Sequence, residues 1–441
     1  MWRQKLGALS VCGFTRSPPG SSIFAIFDND RVPCQFPFSP TAHGRVVSMD
    51  KDLKPSIPAE EYPIRWARVQ QMMKRENLEL LVAYADDRAV FGAAHARWLA
   101  NFPVHFEPVC VLLFPDGAPI MLCGPETREY ALLASHVADV RILAEFCHAN
   151  EDYPHSAIQS LAEIVGEVIP QASRIKRIGL AARGLIGADV LAAFEQSFRQ
   201  AEWVDVENSI CDLRAQKSSA ELAVIRYAYR IAEVGLAAAL EVIRVGATER
   251  EIAAEVDSAM RRMGAEGTGI DTIVASGPNT RPILARSTFR AIRADELVLL
   301  TIAPRYEGYH SAIGRPVLVG NPGREIRNAV DVAWRAQEAC FEAMQPGVEG
   351  RDVEAVGRRV VDEAGLGRHF LYSGIHSVGV IEFEPPIFGP SSRSVFKPNM
   401  VISCDIPLFD TPWGGLRMED GFVITETGAE RINKVPHLLE L

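Results

Sequence analysis

A carboxylate inside an apolar, proline-flanked strand must be paired, hydrogen-bonded or shifted in pKa. Glu384, near the end of the run HSVGVIEFEPP, is such a group. Further on, GGLRMED reads as a strand, and strand alternation puts Arg417 and Glu419 on one face. Arg417 then reads either as a receptor for a substrate carboxylate or as the partner of Glu419. Glu419 with Asp420 reads either as part of a cleft or as a solvated turn. Tyr309 and His310 follow the turn Glu307-Gly308, where exposure of His310 is expected. Arg88, His95, Arg97 and Trp98 read as surface positions unless a cleft reaches them. The eight cysteines are scattered without a CxxC pair, which excludes a thiolate zinc motif and a disulfide framework. Those in apolar runs, such as Cys110, read as small buried hydrophobes in a reducing cytoplasm.

The elements that must position these groups fall into two units. The chain has 441 residues, 48% of them apolar, enough for two domains with sizeable cores. A formal charge of −10 argues against nucleic acid or an anionic membrane as partner. No apolar run approaches the ~20 residues of a membrane span. Residues 1–48 are aperiodic and rich in Ser, Pro and Gly. They read as an extension before Met49, with only a faint likeness to a secretory signal. Residues 49–205 alternate helical and strand patterns, an α/β domain. It opens on a helix over 59–76 with Trp66, Val69, Met72 and Met73 inward. A hairpin follows around Pro115-Asp116-Gly117. Residues 206–441 form a second unit, with capping boxes at Ser218-x-x-Glu221 and Thr248-x-x-Glu251. Within it, the segment from Ala228 to Gly267 overlies the segment from Ala329 without a gap. Gly246 meets Gly347 and Gly264 meets Gly365. Two helix–turn–helix–strand copies related by a pseudo-twofold axis are expected, with a cleft where they meet.

These motifs resemble, in order, those of the creatinase/prolidase-type superfamily, which includes the methionine aminopeptidases. LRAQKSSAELAVIRYA is similar to its opening helix, SGPN at 276–279 to a strand turn, and RYEGYHS at 305–311 to its first ligand hairpin. HSVGVIEFEPP resembles its histidine segment, NMVISCDIPLF a ligand strand, and GGLRMED its closing hairpin. The resemblance implies an α/β N-terminal domain before an α+β pita-bread domain, and a homodimer in which Arg88 or Trp98 reaches a substrate. It also implies a metal pair on two Asp, one His and two Glu. Here those positions carry Thr301, Ala312, His376, Asp405 and Glu419, and a substrate-side histidine is replaced by Phe383.

Ala312 cannot ligate, and Thr301 offers only a neutral hydroxyl. The expectation is therefore a metal site too degenerate for an ion pair, with no metal ligands and no cofactor. The resemblance then points to a metal-independent, creatinase-like hydrolase that cleaves a C–N bond in a small polar or cationic molecule. His376 would be general acid and base, with Glu384, Asp405 and Glu419 as carboxylate partners. Arg417, His310, Tyr309, Phe383, Thr301, Arg88 and Trp98 are the candidate substrate contacts. Two alternatives stand beside it: an inactive pita-bread scaffold, and an Xaa-Pro-type peptidase with a mononuclear metal on His376, Asp405 and Glu419.

Overall fold

The computed structural model describes residues 54–88, 90–169 and 174–441. The expectation for residues 1–48 lies outside the described residues.

The first sheet has seven strands, in the order Ile158–Gln159, Asp139–Leu143, Ile120–Cys123, Val109–Leu113, Leu80–Ala85, Arg177–Ala181, Glu202–Asp205. Every residue of Leu80–Ala85 is buried, as in a strand covered on both faces. Alternation divides it. Leu80, Val82 and Tyr84 join Ile164, Val165 and Phe194 in one core. Leu81, Ala83 and Ala85 join Val69, Met72 and Met73 in another. The opening helix runs Glu61–Glu76 with Val69, Met72 and Met73 inward as expected, while Trp66 is only partly buried. The expected hairpin pairs Val109–Leu113 with Ile120–Cys123 antiparallel.

The core that takes Leu81 does not stop at the first sheet. It runs on through Val224, Ile225 and Ala228 of the helix Ser219–Val242 to Val298 and Leu300 of the second sheet. Both capping boxes form, Ser218 with Glu221 and Thr248 with Glu251.

The second sheet has nine strands. Its main path is Glu384–Ile387, Ile375–Ser377, Val401–Thr411, Gly414–Ile424, Ile313–Val319, Glu296–Ile302, Ile273–Ser276. The repeat is real. One helix pair is Ser219–Val242 with Glu249–Met263, the other Arg324–Ala343 with Gly350–Glu363. The matched glycines share the left-handed backbone, with φ of 91° and 85° at Gly246 and Gly347, and 107° and 76° at Gly264 and Gly365. Their surroundings match too: Gly246 donates its N–H to Ile292 and Gly347 to Phe396. A bridge joins Thr248 to Ala291 in one copy and Glu349 to Val395 in the other. Among the described residues no helix is long and apolar enough to cross a membrane.

Candidate active site

Register across the second sheet assembles the site. Thr301 lies opposite Gly314, Gly314 opposite Glu419, and Glu419 opposite Asp405. His376 lies opposite Ser403, two residues from Asp405. Residues directly opposite one another share a face, so the row brings Thr301, Glu419 and Asp405 together with His376 at its end. Gly314 keeps the row open. A Cβ there would lie 2.3 Å from Cγ of Arg417, so only glycine lets that side chain cross the strand.

The His376 ring is buried, with Nδ1 3.0 Å from the carbonyl oxygen of Ser377. A carbonyl only accepts, so Nδ1 carries the proton and the Nε2 lone pair points the other way. There it meets acceptors. Nε2 is 3.9 Å from Oε1 of Glu419. His376, Glu382 and Glu419 each place a ligand atom within 4.8 Å of the others. Burial lowers the pKa of His376, with Glu419 opposing. Removal from water pushes Glu382 up to about 8, with Glu419 and Asp405 adding to the shift and Arg417 opposing it. Asp405 is pushed up to about 7, by burial first, with Arg417 opposing and Glu419 adding.

Arg417 is the one cation against this group among the described residues. Its Nε is 3.3 Å from Asp405, and its Nη2 donates to the Tyr372 hydroxyl at 2.7 Å. Tyr372 in turn donates to Asp405. Nη1 of Arg417 reaches Thr301 at 3.5 Å. Ser403 donates to Oε1 of Glu419 at 2.7 Å. Oε2 of Glu419 and Oδ1 of Asp405 remain buried without a donor. The carboxylates form one end of a cavity of about 270 Å³, whose apolar wall includes Phe91, Ile283, Leu284 and Phe383.

Of the residues singled out from sequence, His376, Asp405, Glu419, Arg417 and Phe383 meet at this cavity, with Thr301 behind Arg417. The others do not. Glu384 has the buried partners its context demanded, Lys217 at 2.8 Å and Arg214 at 3.6 Å, and does not line the cavity. His310 is buried rather than exposed. Nδ1 faces the carbonyl of Gly379 at 3.3 Å, and burial, then Arg305, pulls its pKa down to about 3. Tyr309 is buried and donates to Glu221 at 2.7 Å. Trp98 donates to the same carboxylate at 3.2 Å, so it is interior, as are His95 and Arg97. Arg88 stays exposed and pairs with Asp86.

Glu382 and Tyr372 are the site residues that sequence reasoning missed. Glu382 precedes the strand Glu384–Ile387, in a bend where alternation says nothing about direction. The available signal was a second acidic residue two positions from Glu384, in an otherwise apolar run.

Residues 223–426 match the model of metallopeptidase family M24, and residues 65–216 that of the creatinase/prolidase N-terminal domain. An Xaa-Pro dipeptidase of Pyrococcus furiosus is 32% identical over 365 residues, 82% of this chain and 98% of that protein. The fold is similar to that of a prolidase from Thermococcus sibiricus, with a TM-score of 0.75 at 21% identity over 86% of this chain and 99% of that one. It is also similar to an Xaa-Pro dipeptidase from Bacillus anthracis, with a TM-score of 0.72 at 24% identity over 87% of this chain and 100% of that one. The expected hydrolase of a C–N bond agrees with these relatives. The expected independence from metal does not: the family is one of metallopeptidases, and an imidazole with two carboxylates converges where a cation would sit. That expectation counted the replaced ligands Thr301 and Ala312 but not the carboxylate of Glu382.

Proposed function

The chain belongs to metallopeptidase family M24, with the creatinase/prolidase N-terminal domain, and from that we propose that it is an Xaa-Pro-type peptidase working with one divalent metal ion. His376, Glu382 and Glu419 would hold the ion. The observation that carries this reading is the buried charge. Three carboxylates, Glu382, Asp405 and Glu419, crowd one guanidinium, and two of their buried oxygens have no donor. Uncompensated buried charge is costly, and a divalent cation would balance it. One nitrogen and two oxygen donors suit a first-row transition metal and leave coordination positions open. The residues do not fit a second ion. Ala312 has no donor atom, and the Arg417 guanidinium lies between Thr301 and Asp405.

A bound ion would supply Lewis acidity to the scissile carbonyl and to an attacking water. The rest falls to this chain's own side chains. Nδ1–H of His376, fixed on the Ser377 carbonyl, keeps Nε2 available as a donor of electrons. Ser403 fixes one oxygen of Glu419. Asp405, held by Tyr372 and Arg417, keeps one free oxygen beside the cavity and is placed to take a proton from water and return it to the leaving amine. Phe383, Ile283 and Leu284 supply the apolar side of the cavity in which that exchange would take place.

The test is metal content and hydrolysis measured together. Stripped protein reloaded with Mn²⁺, Co²⁺ or Zn²⁺ should bind about one equivalent per chain and cleave Xaa-Pro dipeptides. Glu382→Gln should weaken metal binding by about 10–100-fold or more, the loss typical of disturbing even outer partners of a metal site. Two equivalents per chain would refute the single-ion site, and no cleavage of any Xaa-Pro dipeptide with any metal would refute the peptidase. A homodimer and a cytoplasmic location remain part of this reading. Light scattering of the purified chain tests the first, and localisation of the tagged chain in cells the second.

A further inference from the structure

Two of the three groups around the cation position come from one short hairpin. The strand Ile375–Ser377 carries His376 and pairs antiparallel with Glu384–Ile387, with Ser377 opposite Glu384. Residues 378–383 join the two strands without helix or strand of their own, and Glu382 lies in that connection. Strand alternation does not fix where it points.

The direction of Glu382 is set by what the connection closes on. One end is bonded through its backbone. Val378 donates to the Val401 carbonyl, and the Gly379 carbonyl accepts the His310 N–H, both at 2.9 Å. The other end closes on an ion pair. The Glu384 carboxylate folds back under the connection, where a Cβ at Gly379 would lie 2.3 Å from its Oε1 and 3.1 Å from Nζ of Lys217. Only glycine leaves room for the pair. Lys217 donates to that Oε1 at 2.8 Å and is 3% exposed.

Lys217 is fixed in turn. It lies between the helices Glu207–Ala215 and Ser219–Val242. Its backbone N–H donates to the Asn399 carbonyl at 2.9 Å, and its Nζ to the Ala215 carbonyl at 3.3 Å. Oε2 of Glu384 is 3.6 Å from Nε of Arg214, whose Nη1 is 3.3 Å from Nδ1 of His95 in the first domain. At Gly269 a Cβ would lie 2.6 Å from that of Glu382, so a second glycine leaves the space that the Glu382 stem fills. A buried ion pair adds little net stability over apolar packing, because desolvation offsets the attraction. What it adds here is a fixed geometry beside Glu382.

On the single-ion reading, on which this rests, we propose that Lys217 is a positioning residue of the metal site. By holding Glu384 it fixes the connection from which Glu382 reaches the ion. Neither Lys217 nor Glu384 lines the cavity, so the pair acts through Glu382.

Calorimetric titration of the metal-free full chain with Mn²⁺ tests this without a substrate. Lys217→Met removes the anchor and leaves Glu384 its Arg214 partner. The Kd for Mn²⁺ should rise about 10-fold or more, as it does when outer partners of metal sites are lost. Gly379→Ala, which pushes the Glu384 carboxylate away from Lys217 while keeping both residues, should do the same. It covers the case in which Lys217→Met does not fold. In a Glu382→Gln background, Lys217→Met should cost no further affinity. A merely structural pair would weaken binding equally in both backgrounds. Additive losses, or an unchanged Kd in the two single variants, would overturn the positioning role.

Glu382→Gln by itself separates that role from the single-ion site. If it weakens Mn²⁺ binding while Lys217→Met and Gly379→Ala do not, the positioning role falls and the site stands. If Glu382→Gln leaves the Kd unchanged, or wild-type protein binds no Mn²⁺, both fall.

Discussion

Glu384 and Glu207 show what a buried or half-buried carboxylate does here when it is not at the cavity. Glu384 holds Lys217 and Arg214 in a site with no exposure, next to the segment that carries Glu382. Glu384→Ala leaves two cations unpaired inside the protein. Breaking a buried pair in this way costs about 3–5 kcal/mol, which urea unfolding would register as a much lower midpoint. Glu207 carries a pH dependence. Burial pushes its pKa up, but His95, the Ala182 N–H and Arg214 outweigh that and hold it at about 2. The folded pKa lies below the unfolded value, so the stabilisation is present above about pH 4.5 and is lost as pH falls toward 2. Wild-type protein should be more stable than Glu207→Gln at neutral pH. The gap should narrow as urea midpoints are taken from pH 5 downward; a gap independent of pH would contradict the assignment.

At the level of elements, the paired glycines explain how one sequence pattern builds two similar halves. Gly246 and Gly347 each turn the chain between the two helices of a pair with a left-handed residue, and a Cβ at either would meet nothing within 4 Å. The cost of Gly→Ala is therefore conformational alone, about 1–2 kcal/mol at each. Equal losses at the two sites, read by urea unfolding, would confirm that the copies use one turn. The copies differ at the cap. Thr248 caps its helix through its side chain, whereas Glu349 makes no such bond. Thr248→Ala should cost about 1 kcal/mol, and Glu349→Ala should cost less.

Across the whole molecule, one carboxylate ties the two domains. Glu221, the capping residue of the long helix, accepts from Trp98 of the first domain and Tyr309 of the second, and lies 3.3 Å from Arg65. The apolar core behind it is continuous from Val69 to Leu300. Calorimetry should show one cooperative transition. Glu221→Ala, which strands the buried Trp98 and Tyr309 donors, should lower its midpoint by several degrees.

The sequence by itself determined the elements and their order. Periodicity, capping boxes and matched glycines are local signals, and local backbone preference is enough to produce them. It also put Glu419 and Arg417 on one face, because strand alternation is a local rule, and required partners for Glu384, because burial of a charge demands them; that Arg417 pairs with Asp405 rather than Glu419 was left to the fold. Resemblance added His376 and Asp405. Tertiary structure decided the rest. Glu382 points into the site from a bend, where no periodicity sets direction. Tyr309 is interior because Arg65 of the first domain reaches its hydroxyl, and His310 because Gly379 and Gly269 of its own domain close on it; both are long-range contacts. The identity of a carboxylate was legible in the chain, but its role depended on what stood within 4 Å of it. For Glu384 that was a lysine and an arginine; for Glu419 it was a serine and an imidazole, with one oxygen left free.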